Sequence, residues 1–259
     1  MALYKSPKAR MVARIVIFST SAIIAIMLLL SYYGLNVGTF TVVIDNQQQS
    51  VAEILLSETE DFKKTSQRLN AVQALDMKEC LGNEDYELVV TNPEIKDEIP
   101  QEILWQLEDL VGGSQNQEGY FCYTFYVLNS GNTNYDYTMD LNIQSTKNNL
   151  DAAIRIMLVW DREYNNAQSG IEDIQKIYAK AQGNKPGQTP NALDYCSDDR
   201  FASSTKIFTE SRYYFTSGSV DKISILMWIH GWDEDAINEV YNGKVRLSLR
   251  IRITDVLTN

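Results

Sequence analysis

The chain reads as a mainly β protein, with a single N-terminal transmembrane helix followed by one antiparallel β-sandwich of jelly-roll type carrying one or two short helices. Three observations predict this. Residues 15 to 44 contain no charged side chain. Two nine-residue stretches, Tyr135–Ile143 and Val245–Ile253, alternate apolar and polar positions without a break, the mark of strands with one buried and one wet face. Helical spacing, by contrast, is confined to short segments. The predicted organisation is a tail over 1–14, a membrane helix over 15–33 and an extracytoplasmic domain over 34–259, with no internal repeat.

Within Ile15–Leu30, ten of the sixteen residues are Ile, Leu, Val or Phe, worth roughly −3 to −6 kcal/mol of insertion free energy before the polar Ser19, Thr20 and Ser21 are counted. Tyr32 and Tyr33 extend the span to about 19 residues, near the length needed to cross a bilayer core. Lys5, Lys8, Arg10 and Arg14 precede the span, and no Lys or Arg follows until Lys63, which places the tail in the cytoplasm. A cleaved secretory signal is the other reading, but Ser31–Thr39 offers no good pair of small residues for cleavage. Either way the domain lies outside the cytoplasm, and the short Tyr33–Thr39 linker holds it against the membrane.

The strands follow in order. Thr39–Ile44 is the first after the membrane, and Glu53–Leu56 and Tyr86–Val90 are weaker candidates. Ile103, Leu104, Leu107, Leu110 and Val111 have helical spacing, bounded by Pro100 and by Gly112-Gly113. Tyr120–Leu128 is apolar on both faces and rich in aromatics, so it is a central strand. The polar run Asn129–Asn134 then turns it into the Tyr135 strand as a hairpin. Ala152–Trp160 and Lys222–Ile229 complete the set with Val245–Ile253, and Lys206–Phe208 is a third weaker candidate. Ile171–Gln182 is open between helix and strand: Ser169-x-x-Glu172 resembles a capping box, while Ile177–Lys180 suits a strand. Gly183–Pro190 is a surface loop, and Asp233–Val240 a short acidic helix or turn.

All 34 carboxylates lie beyond Ile44, against 19 Lys and Arg in the same region, a net of −15. Such a surface repels phosphate backbones and excludes nucleic acid as a partner. Three cysteines allow at most one disulfide: Cys122 falls in a core strand, whereas Cys80 and Cys196 fall in loops and could pair. There is no Asn-x-Ser/Thr sequon, and the odd cysteine count also fits a bacterial envelope better than a eukaryotic secreted domain.

Chemical motifs are sparse. No P-loop, GxSxG, HExxH, CxxC or dinucleotide glycine pattern occurs. The single histidine, His230, could act as a hydrolytic base oriented by Asp233, but nothing singles out a serine, and a strand-end histidine beside Trp228 and Trp232 more often packs or hydrogen-bonds. The acidic turn with Asp233, Glu234, Asp235 and Glu239 supplies hard oxygens suited to Ca²⁺, with Asp233, Asp235 and Glu239 the candidate ligands, and Asp194, Asp198 and Asp199 form a second such turn. Neither has the twelve-residue loop pattern, and a solvated acidic turn accounts for both. No spacing selects a glycosidase carboxylate pair. The 15 Tyr and four Trp could form a glycan-stacking surface, though aromatics on alternating strands usually build core and cross-strand pairs. Tyr213-Tyr-Phe215, in an otherwise polar stretch, is the aromatic cluster expected at the surface.

Three stretches resemble a group of poorly characterised Gram-positive membrane-anchored surface proteins. They are YGLNVGTFTVVID after the anchor, the YTFYVLNSGNTNYDYTMDLNI segment, and the end from Lys222 to Ile251 with Trp228, Gly231, the acidic turn and Gly243. The Asn-Ser-Gly-Asn turn is similar to that of the wider TasA and camelysin class of secreted β-sandwich proteins. The resemblance covers about half of the chain and implies a jelly-roll sandwich at a bacterial envelope. It does not imply the peptidase activity attributed to camelysin, because there is no multi-His zinc site here. The expectation is a non-enzymatic surface role without cofactor or metal: adhesion, envelope assembly or binding of protein partners in the membrane or cell wall, through sheet edges or loop tips. A hydrolase centred on His230 and Asp233 and a self-assembling, TasA-like fibre subunit are the competing expectations.

Overall fold

The computed structural model describes residues 40–45, 53–74, 77, 79–80, 110–117, 119–166, 171, 173–180, 200–230 and 242–257. The expected membrane helix, the strand at Tyr86–Val90, the loop Gly183–Pro190 and the acidic turn Asp233–Val240 lie outside these residues. So do Cys196 and the part of the expected helix before Leu110. Among the described residues, no helix is long and apolar enough to cross a membrane.

The described chain is mainly β, as its alternating sequence predicts. Its strands are β1 (Phe40–Ile44), β2 (Ile54–Ser57), β3 (Thr65–Ser66), β4 (Arg68–Asn70), β5 (Glu79–Cys80), β6 (Gly113–Ser114) and β7 (Tyr120–Asn129). There follow β8 (Asn134–Lys147), a single helical turn α1 (Leu150–Ala153), β9 (Ile154–Asp161), β10 (Ile174–Ala179), β11 (Lys206–Phe215), β12 (Val220–His230) and β13 (Lys244–Leu257). Sheet I has the order β11-β8-β13-β1-β4, and sheet II the order β10-β9-β12-β7-β2-β3, with β5 beside β12 and β6 beside β7. Pairing between these strands is antiparallel except for β1 with β13 and β5 with β12.

The two sheets pack face to face because period-two alternation gives each an apolar inner surface. On β8, Tyr135, Tyr137, Met139, Leu141 and Ile143 all point inward and are buried; on β13, Val245, Leu247, Leu249 and Ile251 do the same. Aromatic rings join the layers. Phe40 of sheet I meets Phe121 and Tyr123 of sheet II edge-on, at centroid distances of 5.7 and 5.6 Å, and Tyr137 lies 6.0 Å from Trp160. Each such side chain contributes about 1.5–3 kcal/mol by leaving water.

Sheet II is buried on its second face as well. Tyr120, Cys122, Met157, Val159, Ile177, Leu226 and Trp228 form a separate apolar cluster there with Leu110. This explains why Tyr120–Leu128 is apolar on both faces, with Thr124 the exception, its buried hydroxyl hydrogen-bonded to Ser224 (2.7 Å): β7 lies between β2 and β12 with both faces covered.

The expected hairpin between this strand and the next is not formed. β7 belongs to sheet II and β8 to sheet I, so Asn129–Asn134 is an arch that carries the chain across the core. Both neighbours of β7 are already in place, β12 along its length and β2 at its end, while β8 is needed between β11 and β13. The buried Asn129 side chain sets the arch: its amide donates to the carbonyls of Thr133 (2.9 Å) and Phe215 (3.0 Å), and its oxygen accepts from the Gly131 N–H (3.0 Å).

Other boundaries shift for local reasons. The strand expected from Ala152 starts at Ile154, because Asn148 and Asn149 take left-handed backbone angles and lead into α1. The open segment Ile171–Gln182 resolves as strand β10, paired along β9. Lys206–Phe208 extends to Phe215. Cys80 lies in the short strand β5 and not in a loop. Leu110 and Val111 are not helical, and Gly113 begins β6. Gly112 is required where it stands: a Cβ there would lie 1.7 Å from the Glu58 carbonyl oxygen.

The two sheets are joined at both lateral sides. On one, β10 meets β11 through the Tyr178 ring on Phe208 (4.8 Å) and through Lys176 and the Tyr178 hydroxyl, each 2.7 Å from Glu210 Oε1. On the other, the chain steps from β3 in sheet II to β4 in sheet I across Gln67 alone.

Candidate functional site

The most distinctive surface lies on the outward side of sheet I. At the end of β11, Arg212 stands opposite Tyr137 and Phe215 opposite Tyr135, so three steps on β11 match two on β8. The extra residue makes a β-bulge. Its cost is visible at Tyr214, whose φ of 55° is rare for a bulky side chain. Its effect is to send Arg212 and Phe215 both inward, where they are buried, and the two residues between them outward. Tyr213 is 70 % exposed and Tyr214 57 %. The Tyr214 N–H donates to Asp136 Oδ1 at 2.7 Å. The surface expectation for this cluster therefore holds for the two tyrosines and fails for Phe215.

Beneath the bulge is a buried ionic network. Asp221 Oδ2 accepts from the Tyr137 hydroxyl (2.5 Å), Trp160 Nε1 (3.1 Å) and Arg212 Nε (3.2 Å), and Oδ1 accepts from the Glu163 N–H (2.8 Å). Arg212 reaches on to Glu163 Oε1 (3.1 Å) and to the Tyr213 carbonyl (2.6 Å). Burial pushes the Asp221 carboxyl above the usual carboxylate range, and Arg212 with the three other donors opposes that shift. The Tyr137 phenol is driven well up by burial and by the Asp221 charge. Asp221 has no exposure to solvent. A carboxylate so enclosed, with both oxygens engaged, has no access to substrate, and its chemistry is that of a brace. It ties the turn after β9 to the carbonyl of Tyr213.

Sequence reasoning missed this network, although a signal was present. Extending the Lys222–Ile229 strand backwards by one period of two places Asp221 on the same inward face as Ile223, Ile225 and Met227.

The outward face of sheet I beyond the bulge carries a run of arginines from the alternation in β13: Arg246, Arg250 and Arg252. Register places Val43 between Arg250 and Arg68. Asp140 Oδ1 accepts from Lys206 (2.8 Å) and Thr209 (2.5 Å), and its Oδ2 pairs with Arg252 (2.6 Å). Burial alone would raise Asp140, yet these partners hold its carboxyl below the ordinary value. Arg68 and Arg250 are exposed, and neither is ion-paired to a described residue; the Arg68 Nε donates to Asn70 Oδ1 at 3.3 Å.

His230 closes β12, where its backbone is in register with Cys80. Asp233, Glu234, Asp235 and Glu239 lie outside the described residues, as do Asp194, Asp198 and Asp199. Among the described residues, no group of three or more His, Cys, Asp or Glu could hold a metal ion. Cys122 is buried, and burial pushes its thiol up to about 12, so it is inert at neutral pH. The chain matches no protein-family model and no curated protein sequence.

Proposed function

We propose that this is a membrane-anchored, extracytoplasmic β-sandwich protein with a non-enzymatic surface role, binding a protein partner of the same membrane or the adjoining wall. The observation that carries the reading is the bulge of β11. It exposes two adjacent tyrosines at a strained backbone and holds them from below with a buried Arg212–Asp221–Glu163 brace. Rigid, exposed aromatic side chains are the usual anchors of protein recognition, and strain retained at the surface is a mark of function. The anchor rests on the uncharged span at residues 15–33.

The finer fold reading is jelly-roll-like. With β7 set aside, β1-β13-β8-β11 against β2-β12-β9-β10 is the jelly-roll strand order. One inserted strand also accounts for the parallel pairing of β1 with β13, since it reverses the direction of the chain once more. This order supports the likeness to the TasA and camelysin class.

The test is site-specific photo-cross-linking of the full chain in intact membranes, with the reactive group at Tyr213 and, as control, at the exposed Asn242. A discrete adduct from position 213 alone is expected. No adduct, or the same smear from both positions, would sink the proposal. Release of the chain by alkaline carbonate without detergent would remove the anchor, and a hydrolytic activity lost in His230→Ala would overturn the non-enzymatic reading.

A further inference from the structure

The outward face of sheet I departs in charge from the rest of the domain. Beyond Ile44 the chain carries 34 carboxylates against 19 Lys and Arg. Yet along the centre of this face Arg68, Lys206, Arg246, Arg250 and Arg252 stand among Thr41, Val43, Ser248, Asn142 and Thr138, with Asp45 and Asp140 the carboxylates among the described residues of these rows. Asp140 is committed to Lys206, Thr209 and Arg252. Among the described residues, the charges left uncompensated are those of Arg68 and Arg250, which flank Val43 in one row, and of Lys147 and Lys244 at the far end of the face.

We infer that this face docks a short, extended, acidic segment of a partner protein, with Arg68 and Arg250 as its principal contacts. This deepens the partner-binding reading of the preceding subsection and rests on it. Three features select that occupant. Lys244 and Arg250 lie on one side of a single strand, with Arg68 across Val43 from Arg250, so the spacing along the strand is a multiple of about 6.8 Å, the repeat of same-side residues on any extended chain. Carboxylates at alternate positions of an extended segment therefore fall in step with them. The cationic stretch is bounded: from Lys244, in register with the exposed Lys147, to Arg252 it covers about 27 Å, some eight extended residues. At the tyrosine end it gives way to Asp136 and Asp255, which are in register with each other. A long polyanion would overrun the stretch onto an acidic surface, whereas a short carboxylate run ends within it. The cations are also mostly arginine, which with tyrosine is enriched at protein interfaces where lysine is depleted. Tyr213 and Tyr214 then meet whatever follows the acidic run.

The experiment uses the full chain in nanodiscs of neutral lipid, with fluorescein-labelled poly-L-glutamate and inorganic polyphosphate of equal charge as probes. Fluorescence anisotropy should show poly-L-glutamate bound more tightly than polyphosphate. Affinity should fall at least about tenfold in Arg68→Glu/Arg250→Glu, and about threefold or more in the milder Arg68→Gln/Arg250→Gln, with unchanged thermal melting in the latter. Self-association abolished by the same substitutions would support the inference by naming a second copy as the acidic partner. Tighter binding of polyphosphate, or poly-L-glutamate binding indifferent to both arginines, would overturn it. If the adduct at Tyr213 persists in that event, the partner-binding reading stands and only the acidic chemistry falls; if the adduct is also absent, both fall.

Discussion

The two sheets use the same alternation to different ends. Sheet I spends every second residue on water: Arg246, Arg250 and Arg252 alternate with Leu247, Leu249 and Ile251, and the strand has one apolar face. Sheet II is covered on both sides, so Cys122, Leu226 and Trp228 are as deeply buried as Phe121, Ile225 and Met227 on the opposite surface. The difference separates the labour of the molecule. Sheet II is buried on both faces among the described residues. Sheet I faces solvent along its length, and its bulge, its arginines and its two exposed tyrosines are where recognition is possible.

The largest expected effect tests that division directly. Trp228→Ala, on the outer surface of sheet II, should destabilise the protein by about 3–5 kcal/mol. Arg250→Ala, at an outward position of sheet I, should change stability by less than about 0.5 kcal/mol. Equal shifts in urea midpoint would show that the outward face of sheet I is also covered. Of similar size to the first is Asp221→Ala, at about 3–5 kcal/mol, because Arg212 would remain charged, buried and short of a partner. Asp221→Asn should cost less, and a double Arg212→Leu/Asp221→Leu variant less than the sum of the single ones.

Smaller effects sharpen the contrast. Asp136→Ala removes the acceptor of the Tyr214 N–H and should cost about 1 kcal/mol, with the loss read as faster amide exchange at Tyr214 and weaker cross-linking at Tyr213. The two aspartates should also respond oppositely to acid. Asp140 is held below its unfolded value, so its contribution is present above about pH 4 and is lost as the pH falls through its depressed folded value. Asp221 is held above its unfolded value, so burial of its charge weighs against folding at neutral pH and is relieved as the pH falls through its raised value. Comparing urea midpoints against pH in Asp140→Asn and Asp221→Asn should show the first variant losing part of the acid sensitivity and the second losing the compensating gain. The smallest effect is chemical: Cys122 should resist alkylation in the folded protein and react only on unfolding. Rapid native-state labelling at Cys122 would mean that the second face of sheet II opens readily.

Much of this architecture was legible from side-chain alternation. Tyr135–Ile143 and Val245–Ile253 announce one wet and one dry face, and the doubly apolar Tyr120–Leu128 announces a strand covered on both. The exposed tyrosines were also visible, as aromatics stranded in a polar run. The arch at Asn129–Asn134 was not, because a polar loop of six residues looks the same whether it returns to its own sheet or crosses to the other. Nor was the brace at Asp221, because a carboxylate at an inward position looks like a strand boundary until Arg212, Tyr137 and Trp160 arrive from elsewhere in the chain.

Local sequence by itself determined the long alternating strands and which of their faces is apolar, because a side chain's direction along a strand depends only on its neighbours. Tertiary structure alone decided which strands share a sheet, that β10 is a strand, that the bulge of β11 turns two tyrosines outward, and that Arg68 and Arg250 stand in one row. Those outcomes depend on register between segments as much as 207 residues apart, and register is settled by competition among all strands for the same hydrogen-bonding partners and the same core.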